Sequence, residues 1–258
     1  MIEVRDLRRE YRRRFARAGV TALRGVSLDI ERGGRFGIVG ESGSGKSTLV
    51  RLLAGLDRPS AGTVSFGGRR IDNLPERKLG FLRSELQLVF QDPMGSLDPR
   101  MRVRDIISEP LGRHRGHRER VRELLAAVDL PADAGARYPH QFSGGQRQRI
   151  SIARALAPRP SVLIADEPVS ALDVLVRAQI LELLAELVER YRLTLIFVSH
   201  DLAVVRQVCD TVAVLRAGEL VELGPVEQVY GAPAHPYTRE LLAAAPSLRR
   251  ALARLEER

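Results

Sequence analysis

One octapeptide constrains the fold of this chain more than any other feature. It matches the pattern G-x-x-x-x-G-K-[ST] and reads Gly40-Glu41-Ser42-Gly43-Ser44-Gly45-Lys46-Ser47. The apolar run of residues 35–39 predicts a strand before it, and apolar residues at i, i+3, i+4 and i+7 from Leu49 onward predict a helix after it. In this context a glycine loop can close its backbone N–H groups around phosphates, and the helix N-terminus adds a positive dipole end. The sequence therefore predicts a site for β- and γ-phosphates, extending through Thr48, with Lys46 as the positive charge and Ser47 as a ligand for Mg²⁺.

A pair of acidic residues follows a second apolar run. Residues 162–165 predict a buried strand, and Asp166 and Glu167 come directly after it. Ligands bind at the carboxyl edge of the sheet in open α/β folds. Asp166 is predicted to hold Mg²⁺, and Glu167 is predicted to act as the general base for attack of water on the γ-phosphate. In isolation the pair would be only a solvated strand end, and the phosphate loop favours the functional interpretation.

Strand and helix patterns alternate along much of the chain, which predicts a parallel α/β sheet. Further strands are predicted at 86–90 and 193–199, and hairpins at 62–71 and 211–223. Between them, residues 91–158 show helical periodicity and little strand signal.

Composition excludes several classes of protein. The single cysteine, Cys209, rules out an intramolecular disulfide framework and a cysteine-based metal cluster within one chain. The apolar runs are far shorter than the roughly 20 residues of a membrane helix, and the first ten residues lack the apolar segment of a signal peptide. The net charge of +9, from 41 basic and 32 acidic residues, would suit nucleic acid, an anionic membrane or a nucleotide, so it does not discriminate among them.

A third motif, Ser143-Gly144-Gly145-Gln146, opens a predicted helix upstream of the acidic pair. Two glycines at a helix N-terminus form a second anion site. A serine N-cap followed by a permissive turn would explain the segment on its own. An ordinary P-loop kinase has no use for a second anion site, so the three motifs together favour a different class.

In these motifs the chain resembles the ATP-binding subunits of ABC transporters over nearly its whole length. The resemblance implies an α/β fold, a P-loop NTPase (RecA-like) core with an antiparallel β subdomain and an inserted α-helical signature subdomain. The core would comprise 1–90 and 159–224, the helical subdomain 91–158 and a C-terminal tail 225–258. It also implies an ATPase that uses ATP and Mg²⁺ as a head-to-tail dimer, in which Ser143, Gly144, Gly145 and Gln146 act on the partner's nucleotide.

The resemblance assigns roles to four further residues. Gln91 matches the glutamine that senses water and ligates Mg²⁺, and Asp173 matches an aspartate at the dimer interface. His200 matches a histidine that binds the γ-phosphate and orients the base, and Tyr11 matches an aromatic residue that stacks on adenine, with Phe15 as the alternative. Taken singly, Gln91 would be a surface amide, His200 a strand-end histidine and Tyr11 a strand residue.

Two segments resemble the oligopeptide, dipeptide and nickel importers: residues 91–100 and the tail sequence His235-Pro236-Tyr237-Thr238-Arg239. The resemblance implies a subunit that powers import of di- or oligopeptides, with nickel or a metal chelate as the alternative cargo. It implies a second ATPase subunit, expected to be a different chain although a copy of this one is the alternative, two transmembrane permeases and an extracytoplasmic substrate-binding protein. The chain would then lie at the cytoplasmic face of a bacterial or archaeal membrane.

A non-transport ABC ATPase acting on nucleic acid or ribosomes is the competing class. Such proteins show tandem ATPase domains, zinc-binding cysteine pairs or long coiled coils, and the sequence has none of these, so no nucleic-acid partner is predicted. The permeases are predicted to dock in a groove lined by residues 90–104. Its apolar anchors would be Met94, Leu97, Met101 and Val103, unless these side chains fill the core of the helical subdomain.

Overall fold

The computed structural model describes residues 1–11, 19–112 and 117–244. The strands in these residues are β1 Ile2–Tyr11, β2 Val20–Ile30, β3 Arg35–Val39, β4 Ala61–Phe66, β5 Arg69–Arg70, β6 Leu86–Val89, β7 Val162–Asp166, β8 Thr194–Ser199, β9 Thr211–Arg216 and β10 Glu219–Pro225. The helices are α1 Lys46–Leu53, α2 Gly80–Glu85, α3 Pro93–Ser96, α4 Val103–Ser108, α5 Arg118–Ala127, α6 Gly144–Leu156, α7 Val174–Tyr191, α8 Leu202–Val208, α9 Val226–Gly231 and α10 Pro236–Ala244. Short 3₁₀ turns lie at Glu76–Lys78, Glu109–Leu111, Ala132–Ala136 and Pro139–Gln141.

The chain forms two compact units. The first unit comprises Met1–Leu79 and Ile196–Arg258, and the second comprises Gly80–Leu195. The α/β fold class predicted from the alternating pattern is confirmed by the mixture of strands and helices in the two units. The finer subdomain boundaries predicted above stay a prediction.

The first unit contains an antiparallel sheet with the strand order β2-β1-β4-β5. Ile2 lies opposite Ile30 on one neighbour and Phe66 on the other, so β1 is the central strand of these three. Ile2, Val4 and Leu7 are fully buried, while charged side chains alternate with them. The β4–β5 pair confirms the first predicted hairpin.

A second set of strands in the first unit carries the phosphate loop. β9 pairs in parallel with β3 and antiparallel with β10, which confirms the second predicted hairpin, and β3 lies between β9 and β8. The apolar side chains of β3 are buried, as expected for a strand covered on both faces. Gly37 allows α8 to pack closely against β3, because a Cβ at this position would lie 2.4 Å from Cγ1 of Val205.

The second unit is mostly helical. Its strands β6 and β7 pair in parallel, with Leu86 opposite Val162 and Val89 opposite Ala165. Between residues 91 and 158 the described segments 91–112 and 117–158 contain helices and 3₁₀ turns and no strand, as predicted. Helix α7 buries apolar side chains that include Ile180, Leu184 and Leu187.

The tail belongs to the first unit. After β10 the chain forms α9 and α10, whose side chains Val226, Val229 and Tyr237 are buried. Within the described residues, no helix has both the length and the apolar character needed to cross a bilayer.

Candidate functional site

The phosphate loop, residues 40–47, connects β3 to α1. Two of its glycines could not be replaced by a residue with a side chain. Gly40 and Gly45 have φ angles of 154° and 108°, in the region that favours glycine. A Cβ at Gly40 would lie 2.2 Å from the carbonyl oxygen of Leu215, and a Cβ at Gly45 would lie 2.7 Å from that of Ala22. The loop is therefore packed against backbone and exposes its own backbone on the other side.

Lys46 is folded onto the loop that precedes it. Only 5% of the residue is exposed. Its Nζ atom donates hydrogen bonds to the carbonyl oxygens of Gly40 at 2.7 Å and Glu41 at 2.9 Å. The ammonium group is thus held at the mouth of the loop. A bound phosphate would replace the two carbonyl oxygens as its hydrogen-bond acceptor.

The loop fits a phosphorylated ligand. The N-cap of α1 is Gly45, which has no side chain to cap the first N–H groups of this helix. The Ser44 hydroxyl is buried and has no hydrogen-bond partner among the described residues. Ser42, Gly43 and Ser47 are exposed. These groups are the donors that a polyphosphate accepts from.

Tyr11, the last residue of β1, is held in one orientation. Its hydroxyl donates to Oδ2 of Asp57 at 2.8 Å, and the guanidinium carbon of Arg9 lies 4.5 Å from the ring centroid. Arg9 also pairs with Asp57 at 2.8 Å. The side chain that would stack on adenine is therefore preorganised. Phe15, the alternative, lies outside the described residues.

Burial alone would raise the pKa of Asp57. The hydrogen bonds from the Tyr11 hydroxyl and the backbone N–H of Arg58, together with the charge of Arg9, outweigh it and hold this pKa below its ordinary value. Asp57 is therefore ionised when it anchors Tyr11.

His200 lies in the turn between β8 and α8, and its side chain is exposed. The turn is fixed on both sides of it. The Ser199 hydroxyl accepts from the Asp201 N–H at 2.9 Å, and the Asp201 carboxylate caps α8 by accepting from the Ala203 N–H at 2.9 Å. The histidine is thus presented from an ordered strand end.

In the second unit, the register of β6 and β7 brings three predicted residues to one sheet edge. Because Val89 lies opposite Ala165, Gln91 and the Asp166-Glu167 pair follow neighbouring parallel strands at their carboxyl ends. Glu167 has a φ of 45°, which is uncommon for a residue with a side chain. Its carbonyl accepts from the Ser170 hydroxyl at 3.1 Å, which stabilises the sharp turn out of β7.

The Ser143-Gly144-Gly145-Gln146 motif forms a capping box at the start of α6. The Ser143 hydroxyl accepts from the Gln146 N–H at 3.3 Å, and the Gln146 side chain accepts from the Ser143 N–H at 3.0 Å. Both side chains are exposed. The N-cap interpretation is therefore correct, and it is compatible with a role toward a ligand.

The loop before α7 lies against this motif within the second unit. A Cβ at Gly144 would be 3.5 Å from Cδ2 of Leu172, and one at Gly145 would be 2.4 Å from Cγ1 of Val176. Asp173 caps α7 through a hydrogen bond from the Val176 N–H at 3.0 Å. The two residues after it, Val174 and Leu175, are adjacent and are 57% and 71% exposed.

The groove predicted for permease docking needs a correction. Leu97 is 2% exposed and Val103 is fully buried, so both side chains fill the core of the second unit and cannot anchor a partner. Met101 is half-buried, and the side chain of Met94 lies outside what the structure describes. Phe90, by contrast, is 44% exposed at the end of β6.

Sequence reasoning missed the residues that support the site from a distance. Asp57 anchors Tyr11, the N–H of Gly218 donates to the carbonyl of Ser44 at 2.9 Å, and Tyr237 contacts the loop at Glu41. No local motif marks the first two, because each is separated from its partner by a long stretch of chain. The tail motif around Tyr237 can be recognised in the sequence, but there it indicates only a resemblance to a family of importers.

Comparison with known proteins agrees with this geometry. The family model for ABC transporters matches residues 23–170, and the model for the oligopeptide/dipeptide transporter C-terminal region matches residues 221–258. The chain is 47% identical to the oligopeptide transport ATP-binding protein AppF of Bacillus subtilis (strain 168), covering 97% of the chain and 79% of that protein. It is 44% identical to the di/tripeptide transport ATP-binding protein DppF of Pseudomonas aeruginosa (strain UCBPP-PA14), covering 96% and 80%.

Solved structures give the same result for the fold. The ATP-binding cassette MJ0796, a dimer bound to ADP and Pi, superposes with a TM-score of 0.79 at 31% identity, over 88% of this chain and 99% of that one. The prediction of a P-loop NTPase fold is thereby confirmed. The phosphate loop, the acidic strand end and the capped glycine motif are arranged on a cassette fold, and the chain belongs to the ABC transporter family as an ABC-type ATPase.

Proposed function

We propose that this chain hydrolyses ATP to power the import of peptides through a membrane transporter. The observation that carries the proposal is the combination of an intact phosphate loop with a tail that matches the oligopeptide/dipeptide transporter C-terminal region. Relatives similar over almost the whole chain are named for transport of oligopeptides and of di- and tripeptides. The transport of nickel or a metal chelate is the alternative, and no feature of residues 1–11, 19–112 and 117–244 favours it.

The roles of the individual residues follow from their chemistry. Lys46 and the loop N–H groups bind the β- and γ-phosphates, and Tyr11 stacks on adenine. Mg²⁺, when bound, neutralises phosphate charge, and Ser47, Gln91 and Asp166 are the oxygen donors that would hold it.

Two residues act on the reacting γ-phosphate in this proposal. Glu167 accepts a proton from the attacking water, and the His200 imidazole hydrogen-bonds the γ-phosphate. The strained backbone at Glu167 supports this assignment, because uncommon φ values in residues other than glycine concentrate at functional sites.

The proposed assembly contains a second ATPase subunit, two permeases and an extracytoplasmic binding protein, and it places the chain at the cytoplasmic face of the membrane. Support for a partner subunit comes from the second unit, where α6 and α7 are in contact at Gly145 and Val176. The capped motif opens α6, and the exposed side chains of Val174 and Leu175 lie at the start of α7. A partner that covered these two side chains would remove apolar surface from water, which stabilises an interface. The dimeric cassette MJ0796 offers a precedent for pairing.

The test is the substitution Glu167→Gln. The amide keeps the size and hydrogen bonding of the side chain but cannot take a proton, so we expect turnover to fall by about 100-fold or more while ATP still binds. Steady-state ATPase activity of the assembled complex and nucleotide binding measure the two quantities. Lys46→Ala is the matched control. It removes the charge that would contact the phosphates, so we expect it to lose the affinity for ATP that Glu167→Gln keeps. Turnover near the wild-type rate in Glu167→Gln would show that another group is the base.

A further inference from the structure

The tail sequence His235-Pro236-Tyr237-Thr238 reaches the phosphate loop within the first unit. Tyr237 is 2% exposed, and its hydroxyl oxygen accepts a hydrogen bond from the backbone N–H of Glu41 at 3.0 Å. Glu41 is the second residue of the loop. A buried hydroxyl from the end of the chain thus contacts the backbone of the segment that binds phosphate.

The start of α10 is fixed so that Tyr237 can reach the loop. The carboxylate of Glu222, on β10, accepts from the N–H groups of Ala234 at 2.8 Å and His235 at 3.1 Å. The imidazole Nδ1 of His235 accepts from the N–H of Tyr237 at 3.1 Å and acts as a helix cap. Pro236 occupies the first helical position, where its missing N–H has no cost. His235 and Pro236 therefore both favour the start of the helix that carries Tyr237.

Charge and ring contacts strengthen this anchoring. Burial opposes the ionisation of Glu222, but the Thr238 hydroxyl and the two backbone N–H groups outweigh it and lower the pKa of this carboxyl. The Arg216 guanidinium carbon lies 4.7 Å from the centroid of the Tyr237 ring. Arg216 ends β9, in the same hairpin whose Gly218 N–H supports Ser44.

The contact matters because both polar backbone groups of Glu41 are engaged. Its N–H is held by Tyr237, while its carbonyl accepts from Lys46 Nζ at 2.9 Å and from the Ser44 N–H at 3.2 Å. Lys46 must exchange that carbonyl for a phosphate when nucleotide binds, and the Tyr237 contact is then what keeps the Glu41 peptide in place.

We infer that Tyr237 is a positioning residue for the phosphate loop, and that the tail motif lowers the cost of ordering this loop around nucleotide. The inference rests on the nucleotide site proposed above. Its alternative is that Tyr237 serves only as an apolar plug between α10 and the sheet, in which case the ring matters and the hydroxyl does not.

The substitution Tyr237→Phe separates the two roles, because it keeps the ring and removes the hydroxyl. Tyr230→Phe is the matched control: the Tyr230 hydroxyl also forms a hydrogen bond with the backbone, but as a donor to the carbonyl of Leu202, which lies outside the loop. Two quantities are measured on the full chain. One is the affinity for a fluorescent ATP analogue with Mg²⁺, and the other is the hydrogen-exchange rate of the Glu41 amide without nucleotide.

For Tyr237→Phe we expect the Glu41 amide to exchange at least threefold faster than in wild type, and nucleotide affinity to fall about fivefold, the factor expected for one buried hydrogen bond. Tyr230→Phe should change neither quantity by more than about twofold. Unchanged exchange at Glu41 in Tyr237→Phe, or equal losses of affinity in the two variants, would overturn the inference. If wild type itself bound no nucleotide, the proposed function would fail, and the exchange rates would still decide whether Tyr237 positions the loop.

Discussion

At the scale of single residues, the site depends on supports that lie far away in sequence. Asp57 is the clearest case, since it accepts hydrogen bonds from the Tyr11 hydroxyl, the Arg9 guanidinium and the Arg58 N–H. The carboxylate is mostly buried, with 14% of its side chain exposed. Its charge therefore stabilises the orientation of Tyr11 and the folded state together.

Asp57→Asn should lower the free energy of unfolding by about 1 to 3 kcal/mol at pH 7, because it removes the acceptor of charged hydrogen bonds. The pKa of Asp57 is lowered on folding, so its stabilisation is present above the unfolded value of 3.8 and is lost as the pH falls through the folded value. The difference in stability between wild type and Asp57→Asn should therefore shrink in acid. Urea unfolding at pH 7 and at about pH 3 measures both differences. A difference that stayed constant with pH would contradict the role of the charge.

Much of the residue-level site was predictable from sequence, and the reason is chemical. Glycine at positive φ and a lysine at a loop mouth are required by local geometry, so Gly40, Gly45 and Lys46 can be recognised from spacing alone. The anchors Asp57, Gly218 and Tyr237 could not be predicted in this way. Their roles depend on tertiary contacts that no short pattern encodes.

At the scale of elements, the contact between α6 and α7 is unusually close at Gly145. A Cβ there would approach Val176 to 2.4 Å, and a β-branched valine in a helix has little freedom to move. At the neighbouring Gly144 the nearest atom would be at 3.5 Å, which is ordinary contact. The two glycines therefore differ in what they allow, although both lie in the first turn of α6.

Gly145→Ala should lower the free energy of unfolding by about 1 to 3 kcal/mol through overpacking, and Gly144→Ala should leave it nearly unchanged. Thermal and urea unfolding of the two single variants measure the difference. Val176→Ala introduced together with Gly145→Ala should restore part of the loss, because it removes the atom that clashes. Equal stabilities for Gly144→Ala and Gly145→Ala would show that the helices separate without cost.

The elements themselves were predicted well where one pattern dominates. Apolar runs marked β3, β7 and β8 because these strands are buried along nearly their whole length. The docking groove was predicted less well, since an apolar side chain in a helical segment looks the same whether it faces a core or a partner. Leu97 and Val103 turned out to face the core.

At the scale of the whole molecule, the chain is an ATPase of the ABC transporter family, and its proposed cargo is a peptide. Membership of the family rests on the match over residues 23–170 and on the cassette fold. The cargo is a proposal, because the motifs that hydrolyse ATP contain no group that would recognise a peptide. Its support comes from the tail and from relatives named for peptide transport.

The most direct measurement is transport by the complex that contains this chain. The chain would be purified with its membrane partners, reconstituted in liposomes with the extracytoplasmic binding protein, and supplied with a labelled peptide, and separately with nickel. We predict ATP-dependent uptake of the peptide that falls with ATP hydrolysis, by about 100-fold or more, when Glu167→Gln replaces the wild-type chain. Uptake of nickel without peptide, or peptide uptake that persists after hydrolysis is lost, would contradict the account.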